Sequence, residues 1–99
     1  MNMTIEEIIS LLRKNRTFLK ETFGVTRIGI FGSFVRGEQT SSSDVDMVVE
    51  MAKDKKNIHS FLKLKRFLEN ETARRIDLGF EHSLKPAIRE KIMKQIIYV

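Results

Sequence analysis

The sequence predicts an α/β domain in which a small mixed β-sheet carries helices on one face. Three observations support this fold class. Helical and strand periodicities alternate along the chain, a glycine or a capping residue stands at most of their junctions, and 99 residues hold one modest core. We therefore expect a single domain over residues 1–99.

The first helix is predicted from a capping pattern. Thr4 is followed three residues later by Glu7, which is the arrangement of a capping box. Gly24 can take the left-handed conformation that ends a helix. Between these signals, apolar residues recur at helical spacing at Ile5, Ile8, Ile9, Leu12, Leu19 and Phe23. The stripe predicts one helix that extends to Gly24.

Two strands joined by a turn and a loop are predicted next. Val25–Phe31 is rich in β-branched and aromatic residues and is followed by Gly32. Ser33 can begin a short helix, and the polar residues 38–43 predict an exposed loop. A second strand begins at Asp44 and alternates polar with apolar side chains, so its apolar face can pack against helices.

The second half of the chain predicts a helix, a strand and a closing helix. Asn57 is a helix cap before an apolar stripe that extends to about residue 70. Residues 75–80 alternate as a third strand, and Pro86 suits the first turn of the closing helix. The apolar residues 96–99 either pack on the sheet or meet a partner, and packing on the sheet is favoured. The closing helix has an apolar stripe of Ile88, Ile92 and Ile96.

Gly32 and Ser33 have the chemistry of a phosphate-binding turn. A glycine before a helix start leaves backbone N–H groups accessible to phosphate oxygens. The Ser33 hydroxyl adds a donor, and Arg36 either reaches a phosphate or anchors the loop through a carboxylate. The turn is therefore a candidate for binding a nucleotide.

Three aspartates are candidate ligands of a divalent metal ion. Asp44 and Asp46 fall on one face of the same strand, with Cα atoms about 6 to 7 Å apart at about 3.3 Å of rise per residue. Mg²⁺ suits one or two carboxylates together with substrate phosphates. Asp77 lies on the polar side of the third strand. There it orients an attacking hydroxyl, forms a salt bridge with Arg74 or Arg75, or caps the strand end.

These residues carry a family resemblance. The order Gly32-Ser33, Arg36-Gly37 and Ser43-Asp44-Val45-Asp46 resembles the signature of the DNA polymerase β-like nucleotidyltransferase superfamily. The extended segment is similar in particular to the minimal nucleotidyltransferases of prokaryotes. The likeness covers most of the chain, because Asp77 within RRIDLGF and the start of the closing helix also match. Phe34 and Val35 make the turn bulkier than is common in that group.

The resemblance implies transfer of AMP, or another nucleoside monophosphate, from ATP or another triphosphate with two Mg²⁺ ions. Many members of the group pair with a helical HEPN protein and act as its antitoxin, some by adenylylating a tyrosine of it. The resemblance therefore implies a HEPN-type partner and a homo- or hetero-oligomer that supplies the acceptor. The site residues implied are Gly32, Ser33, Arg36 and Ser43 for the nucleotide, and Asp44, Asp46 and Asp77 for catalysis and the metal.

Composition limits the other function classes. The chain has no cysteine, which excludes disulfides and thiolate metal sites. No apolar run approaches the roughly 18 residues that span a membrane, so we expect a cytoplasmic protein. The formal charge of +5 favours polyanions, and RNA nucleotidyl transfer is a less favoured alternative. The other alternative is a binding module that neutralises a toxin by covering it.

Overall fold

The computed structural model describes residues 3–40 and 42–99. The helices are α1 (Ile5–Lys14), α2 (Arg16–Phe23), α3 (Ser33–Arg36), α4 (Ile58–Thr72) and α5 (Pro86–Met93). The strands are β1 (Val25–Phe31), β2 (Val45–Met51), β3 (Ile76–Phe80) and β4 (Ile97–Tyr98), and a 3-10 turn covers Glu81–Ser83. The expected mixed α/β architecture is confirmed. No helix within the described ranges is both long enough and apolar enough to cross a bilayer.

The four strands form one sheet in the order β3-β2-β1-β4. The strand β1 pairs antiparallel with both β2 and β4, whereas β2 and β3 are parallel. A parallel pair needs a long crossover connection, and α4 provides it between β2 and β3. The crossover places the start of β3 beside the start of β2.

The main hydrophobic core lies on one face of the sheet. The alternation along β2 predicts this face correctly, since Val45, Met47, Val49 and Met51 are all buried. Apolar side chains from α1, α2 and α4 pack against them, among them Ile8, Leu12, Leu19, Leu64 and Leu68. The polar residues of β2 therefore lie on the opposite face.

The prediction of a single first helix from the apolar stripe is wrong, because the helix is interrupted at Asn15 and forms α1 and α2. The backbone of Asn15 has φ −99° and ψ 12°, and its side-chain Nδ2 donates to the carbonyl of Leu11 at 2.9 Å. An asparagine side chain that competes for a backbone carbonyl in this way favours a helix end. Leu19 and Phe23 are nevertheless buried, so the second helix keeps the predicted apolar face.

The predicted helix starts at Thr4 and Asn57 and the predicted helix end at Gly24 are confirmed. Thr4 and Glu7 form both hydrogen bonds of the capping box. Asn57 caps α4 by accepting from Ser60 N–H at 2.9 Å, and Gly24 ends α2 with φ 73°. The α4 helix extends past the expected end and stops at Ala73, which has φ 55°.

The segment after α5 packs against the sheet, as the apolar residues 96–99 predict. Ile97 and Tyr98 form β4 against β1. The Ile96 side chain lies directly over Gly29, because a Cβ atom built at Gly29 would be 2.7 Å from Ile96 Cδ1. This contact covers the sheet face opposite the main core. The predicted stripe of α5 is wrong at Ile88, which is 49% exposed, and at Ile96, which lies beyond the end of the helix at Met93.

Candidate active site

The Gly32-Ser33 turn lies against the carboxylate of Asp46. Gly32 follows β1 with φ 84° and ψ −153°, a backbone region that is essentially restricted to glycine. A Cβ atom at this position would overlap the Asp46 carboxylate, and its distance from Asp46 Cγ would be 3.0 Å. The glycine therefore allows the candidate phosphate turn and the aspartates to approach each other closely.

Asp46 and Asp77 face each other across β2 and β3. They are Cα partners in the parallel register, so their side chains leave the sheet on the same face. Burial raises the pKa of Asp46, and the charge of Asp77 together with a hydrogen bond between the two side chains raises it further. Two carboxylates held this close repel each other when both are ionised, and a bound cation would relieve that repulsion.

Asp44 precedes β2 and points toward a different partner. Its Oδ1 accepts a hydrogen bond from Arg75 Nε at 3.3 Å, in an ion pair exposed to solvent. Its charge also contributes to the raised pKa of Asp46, after burial and Asp77. Over residues 3–40 and 42–99, no three acidic, histidine or cysteine side chains converge as a preformed metal cage. Asp44 would have to leave Arg75 to join the other two carboxylates.

The two arginines proposed as alternative partners of Asp77 make other contacts. Arg75 pairs with Asp44, as above. Arg74 Nη1 donates to the carbonyl of Ser43 at 3.3 Å, and its guanidinium lies 4.6 Å from the ring centroid of Phe34. Both arginines thus hold the loop before β2, and the Asp77 carboxylate is exposed on the site face.

Arg36 ends α3 and anchors the adjoining loop. Its Nε forms a 2.6 Å ion pair with Glu38 Oε1, which is the loop-anchoring alternative predicted from the sequence. Its Nη1 also donates to Gln95 Oε1 at 3.1 Å. Arg36 is half-exposed, with 48% of its side chain accessible, so the guanidinium is still open to an anion from solvent.

Ser43 belongs to the loop that leads to Asp44. Its Oγ accepts from Thr40 N–H at 2.8 Å, and its own N–H donates to Thr40 O at 3.2 Å. These bonds shape the loop, which has no helix or strand among its described residues. Ser41, within the predicted loop 38–43, lies outside the described residues.

Gln95 is a site residue that sequence reasoning missed. Its Oε1 accepts from the backbone N–H of Gly32 at 3.2 Å and from Arg36 Nη1. Gln95 lies beside the apolar residues 96–99, and no motif or periodicity in that segment marks a polar contact with a turn far away in the sequence. Only the pairing of β4 with β1 brings Gln95 to the turn.

A glycine turn beside paired carboxylates on a mixed sheet defines the class of a nucleotidyl-transferring domain. The model of the nucleotidyltransferase domain family matches residues 12–99. The chain belongs to this family, and the resemblance described above is confirmed.

Two known proteins resemble the chain over nearly its whole length. The protein adenylyltransferase MntA of Thermococcus cleftensis is 39% identical over 97 residues, which cover 98% of this chain and 97% of that protein. A solved structure described as a minimal nucleotidyltransferase superimposes with a TM-score of 0.81 at 27% identity, covering 96% of this chain and 95% of its own.

A toxin–antitoxin structure with AMP-PNP shares the fold. Its TM-score is 0.69 at 23% identity, and the match covers 87% of this chain and 69% of that one. At this identity the likeness concerns the fold alone.

Proposed function

We propose that this chain transfers AMP from ATP to a side-chain hydroxyl of a partner protein. The observation that carries the proposal is the in-register pair Asp46 and Asp77 beside the Gly32 turn. The name of the Thermococcus cleftensis relative, a protein adenylyltransferase, supports a protein as the acceptor.

The donor side of the reaction is formed by the turn after β1. Gly32 leaves room for a phosphate to approach the backbone, and Ser33 contributes its N–H and its hydroxyl. Arg36 adds a positive charge next to this turn. In the proposed complex these groups bind the triphosphate of ATP, while Ser43 keeps the loop in the shape that presents Asp44.

The carboxylates fit a divalent cation. Asp46 and Asp77 offer adjacent oxygen ligands whose mutual repulsion a cation relieves, and Asp44 is available once it releases the exposed Arg75. Mg²⁺ held by these three residues would neutralise the charge on the phosphates. The resemblance to the minimal nucleotidyltransferases implies two such ions.

The transfer step requires a nucleophile and a proton acceptor. The acceptor oxygen forms a bond to the α-phosphorus of ATP, and the bond from that phosphorus to the bridging oxygen breaks, so that pyrophosphate leaves. The proton of the hydroxyl passes to the Asp77 carboxylate. Asp77 suits this role because it is exposed on β3, which is an edge strand of the sheet and accessible to a large acceptor.

The partner we propose is a HEPN-type helical toxin, with this chain as its antitoxin. This choice follows the resemblance to the minimal nucleotidyltransferases, in which such pairs are common. Adenylylation of the toxin, and not only contact with it, would then neutralise it.

The test is transfer of label from ATP that is labelled on its α-phosphate. The chain is incubated with this ATP, Mg²⁺ and the helical protein encoded beside it. We expect label in the partner with the wild type and with the control Asp54→Asn, which lies beyond the far end of β2. The variant Asp44→Asn with Asp46→Asn should transfer none. Absence of label with the wild type would sink the proposal. Neutralisation by the double variant as strong as by the wild type would show that covering the toxin suffices.

A further inference from the structure

We propose that the side chain of Gln95 is a placeholder for a phosphate oxygen. In the nucleotide-free site it holds the two donors, the Gly32 N–H and the Arg36 guanidinium, and it releases them when a triphosphate binds. The inference rests on the proposed function, because a nucleoside triphosphate is the ligand that displaces the side chain. It assigns to Gln95 a role in setting the affinity for the donor substrate.

One oxygen atom of Gln95 joins the two parts of the donor site. Gln95 Oε1 accepts from Gly32 N–H at 3.2 Å and from Arg36 Nη1 at 3.1 Å. One donor is the backbone of the turn and the other is a guanidinium at the end of α3. A non-bridging phosphate oxygen placed at the same point would accept the same two hydrogen bonds. The amide oxygen therefore occupies a position that suits the substrate.

The free protein needs an acceptor at this point. Gly32 is buried, and a buried N–H without an acceptor destabilises the folded state. Gln95 satisfies this donor without adding a charge that would repel a phosphate.

A triphosphate can displace the amide because its oxygens are anionic. A phosphate oxygen adds a direct charge–charge attraction to the Arg36 guanidinium, which the neutral amide oxygen of Gln95 does not provide. The exchange replaces a neutral acceptor of Arg36 with a charged one, whereas the Gly32 N–H exchanges one acceptor for another. The released amide is then free to turn toward water.

The backbone around Gln95 is held on both sides, so the exchange needs movement of the side chain only. Gln95 N–H donates to Ile92 O at 3.0 Å at the end of α5. Ile96, the next residue, fits against Gly29, and Ile97 pairs with Ile30 in the sheet. The glutamine side chain has three rotatable bonds beyond this fixed backbone and can leave the turn without unpairing β4.

The test compares ATP binding by calorimetry, with Mg²⁺ present and no acceptor, for three variants and the wild type. Gln95→Ala removes the competing oxygen, and its Kd for ATP should fall by about threefold to tenfold. Gln95→Glu pairs more strongly with Arg36 and repels the phosphates, and its Kd should rise by about tenfold or more. Asn70→Asp adds the same charge on exposed α4 and should bind ATP like the wild type. Unchanged or weaker binding by Gln95→Ala would overturn the inference.

A second measurement uses the wild type alone. The side-chain amide resonance of Gln95 is assigned by its loss from the NMR spectrum of Gln95→Ala. ATP should shift this resonance together with the backbone amide of Gly32. A shift of Gly32 without a shift of the Gln95 side chain would also overturn the inference. Failure of the wild type to bind ATP at all would instead refute the proposed function, and the placeholder role with it.

Discussion

Asp46 and Asp77 occupy partner positions on two parallel strands, so their carboxylates leave the sheet on the same face. Burial, and then the Asp77 charge, raise the pKa of Asp46. When folding raises the pKa of a carboxyl group, the ionised form of that group destabilises the folded chain relative to the unfolded chain. Its contribution to stability is thus greatest in acid, and it declines as the pH rises through the ordinary carboxyl range to the raised pKa. At neutral pH the site reduces the stability of the fold.

The first prediction is that Asp46→Asn abolishes nucleotidyl transfer and stabilises the protein. The amide cannot ionise, so the repulsion from Asp77 and Asp44 is lost at neutral pH. We expect the Tm of the metal-free protein at pH 7 to rise by a few degrees. Thermal unfolding followed by circular dichroism measures the change. The difference should shrink as the pH falls, because the wild-type carboxyl then becomes protonated.

Asp54→Asn is the matched control for this prediction. Asp54 is exposed in the turn between β2 and α4, so the same change of charge there should leave both Tm and transfer near those of the wild type. A lower Tm for Asp46→Asn than for Asp54→Asn at pH 7 would contradict the argument.

The second prediction concerns Gly32, the glycine of the candidate phosphate turn. Gly32→Ala introduces a Cβ atom that overlaps Asp46, at a φ of 84° that alanine adopts only with strain. We expect a loss of about 1–3 kcal/mol in the free energy of unfolding from the backbone strain alone, together with loss of ATP binding. Urea unfolding and calorimetry measure the two effects.

Gly79→Ala provides the comparison for Gly32→Ala. Among the described residues other than its chain neighbours, no atom lies within 4 Å of a Cβ built at Gly79, and the φ of Gly79 is outside the left-handed range. The substitution should change stability by less than about 1 kcal/mol and leave ATP binding intact. Equal effects at the two glycines would mean that the close approach of the turn to Asp46 has no role.

The third prediction is a pH dependence that arises at the far end of β2. Burial alone would raise the pKa of Glu50, but hydrogen bonds from His82 and the charges of His82 and Lys56 outweigh it and lower the pKa. A carboxyl group with a lowered pKa stabilises the fold above its unfolded pKa, and that stabilisation is lost as the pH falls through the folded value. Glu50→Gln should therefore lower the Tm at pH 7, and its difference from the wild type should shrink as the pH falls through the carboxyl range.

Glu71→Gln, on the exposed surface of α4, controls for the change of charge in that experiment. A Tm difference between Glu50→Gln and the wild type that stays constant from pH 7 to pH 3 would show that the contacts with His82 and Lys56 do not stabilise the ionised carboxylate.

The fourth prediction concerns the cap of the crossover helix. Asn57→Ala removes the acceptor of Ser60 N–H at the start of α4. The expected loss is about 1 kcal/mol, equivalent to a fall in Tm of about 4–8 °C for a domain of this size. Asn70→Ala, in the exposed last turn of the same helix, should not lower the Tm, because alanine is the better helix former. A fall in Tm for both variants alike would argue against a specific capping effect.

The sequence predicts the parts of this fold that depend on local chemistry. Thr4, Asn57 and Pro86 mark helix starts because their side chains satisfy or avoid backbone groups within one turn. The alternation along β2 assigns the faces of Asp46 and Val45 because side chains in a strand alternate. Local rules also predict the turn at Gly32, which precedes the aspartates in the sequence.

Features set by long-range packing were not predictable. The break at Asn15 is local but was also missed, because the apolar spacing of this stretch suits a continuous helix while the Asn15 side chain turns back to the Leu11 carbonyl. The ion pair of Arg75 with Asp44 requires the parallel register of β2 and β3. Gln95 contacts Gly32 because β4 pairs with β1, and no sequence pattern near either residue predicts this hydrogen bond.

The pairing of β4 with the middle of the sheet has a consequence for the order of assembly. Ile30 and Ile97 lie far apart in the chain but side by side in the fold, and contacts of this kind form late. Chains emerge from the ribosome beginning with their amino-terminal residues. A nascent chain therefore exposes the Gly32 turn and all three aspartates before Gln95 leaves the ribosome. Over that interval Gln95 cannot accept from the Gly32 N–H, and water or another solute must satisfy this donor.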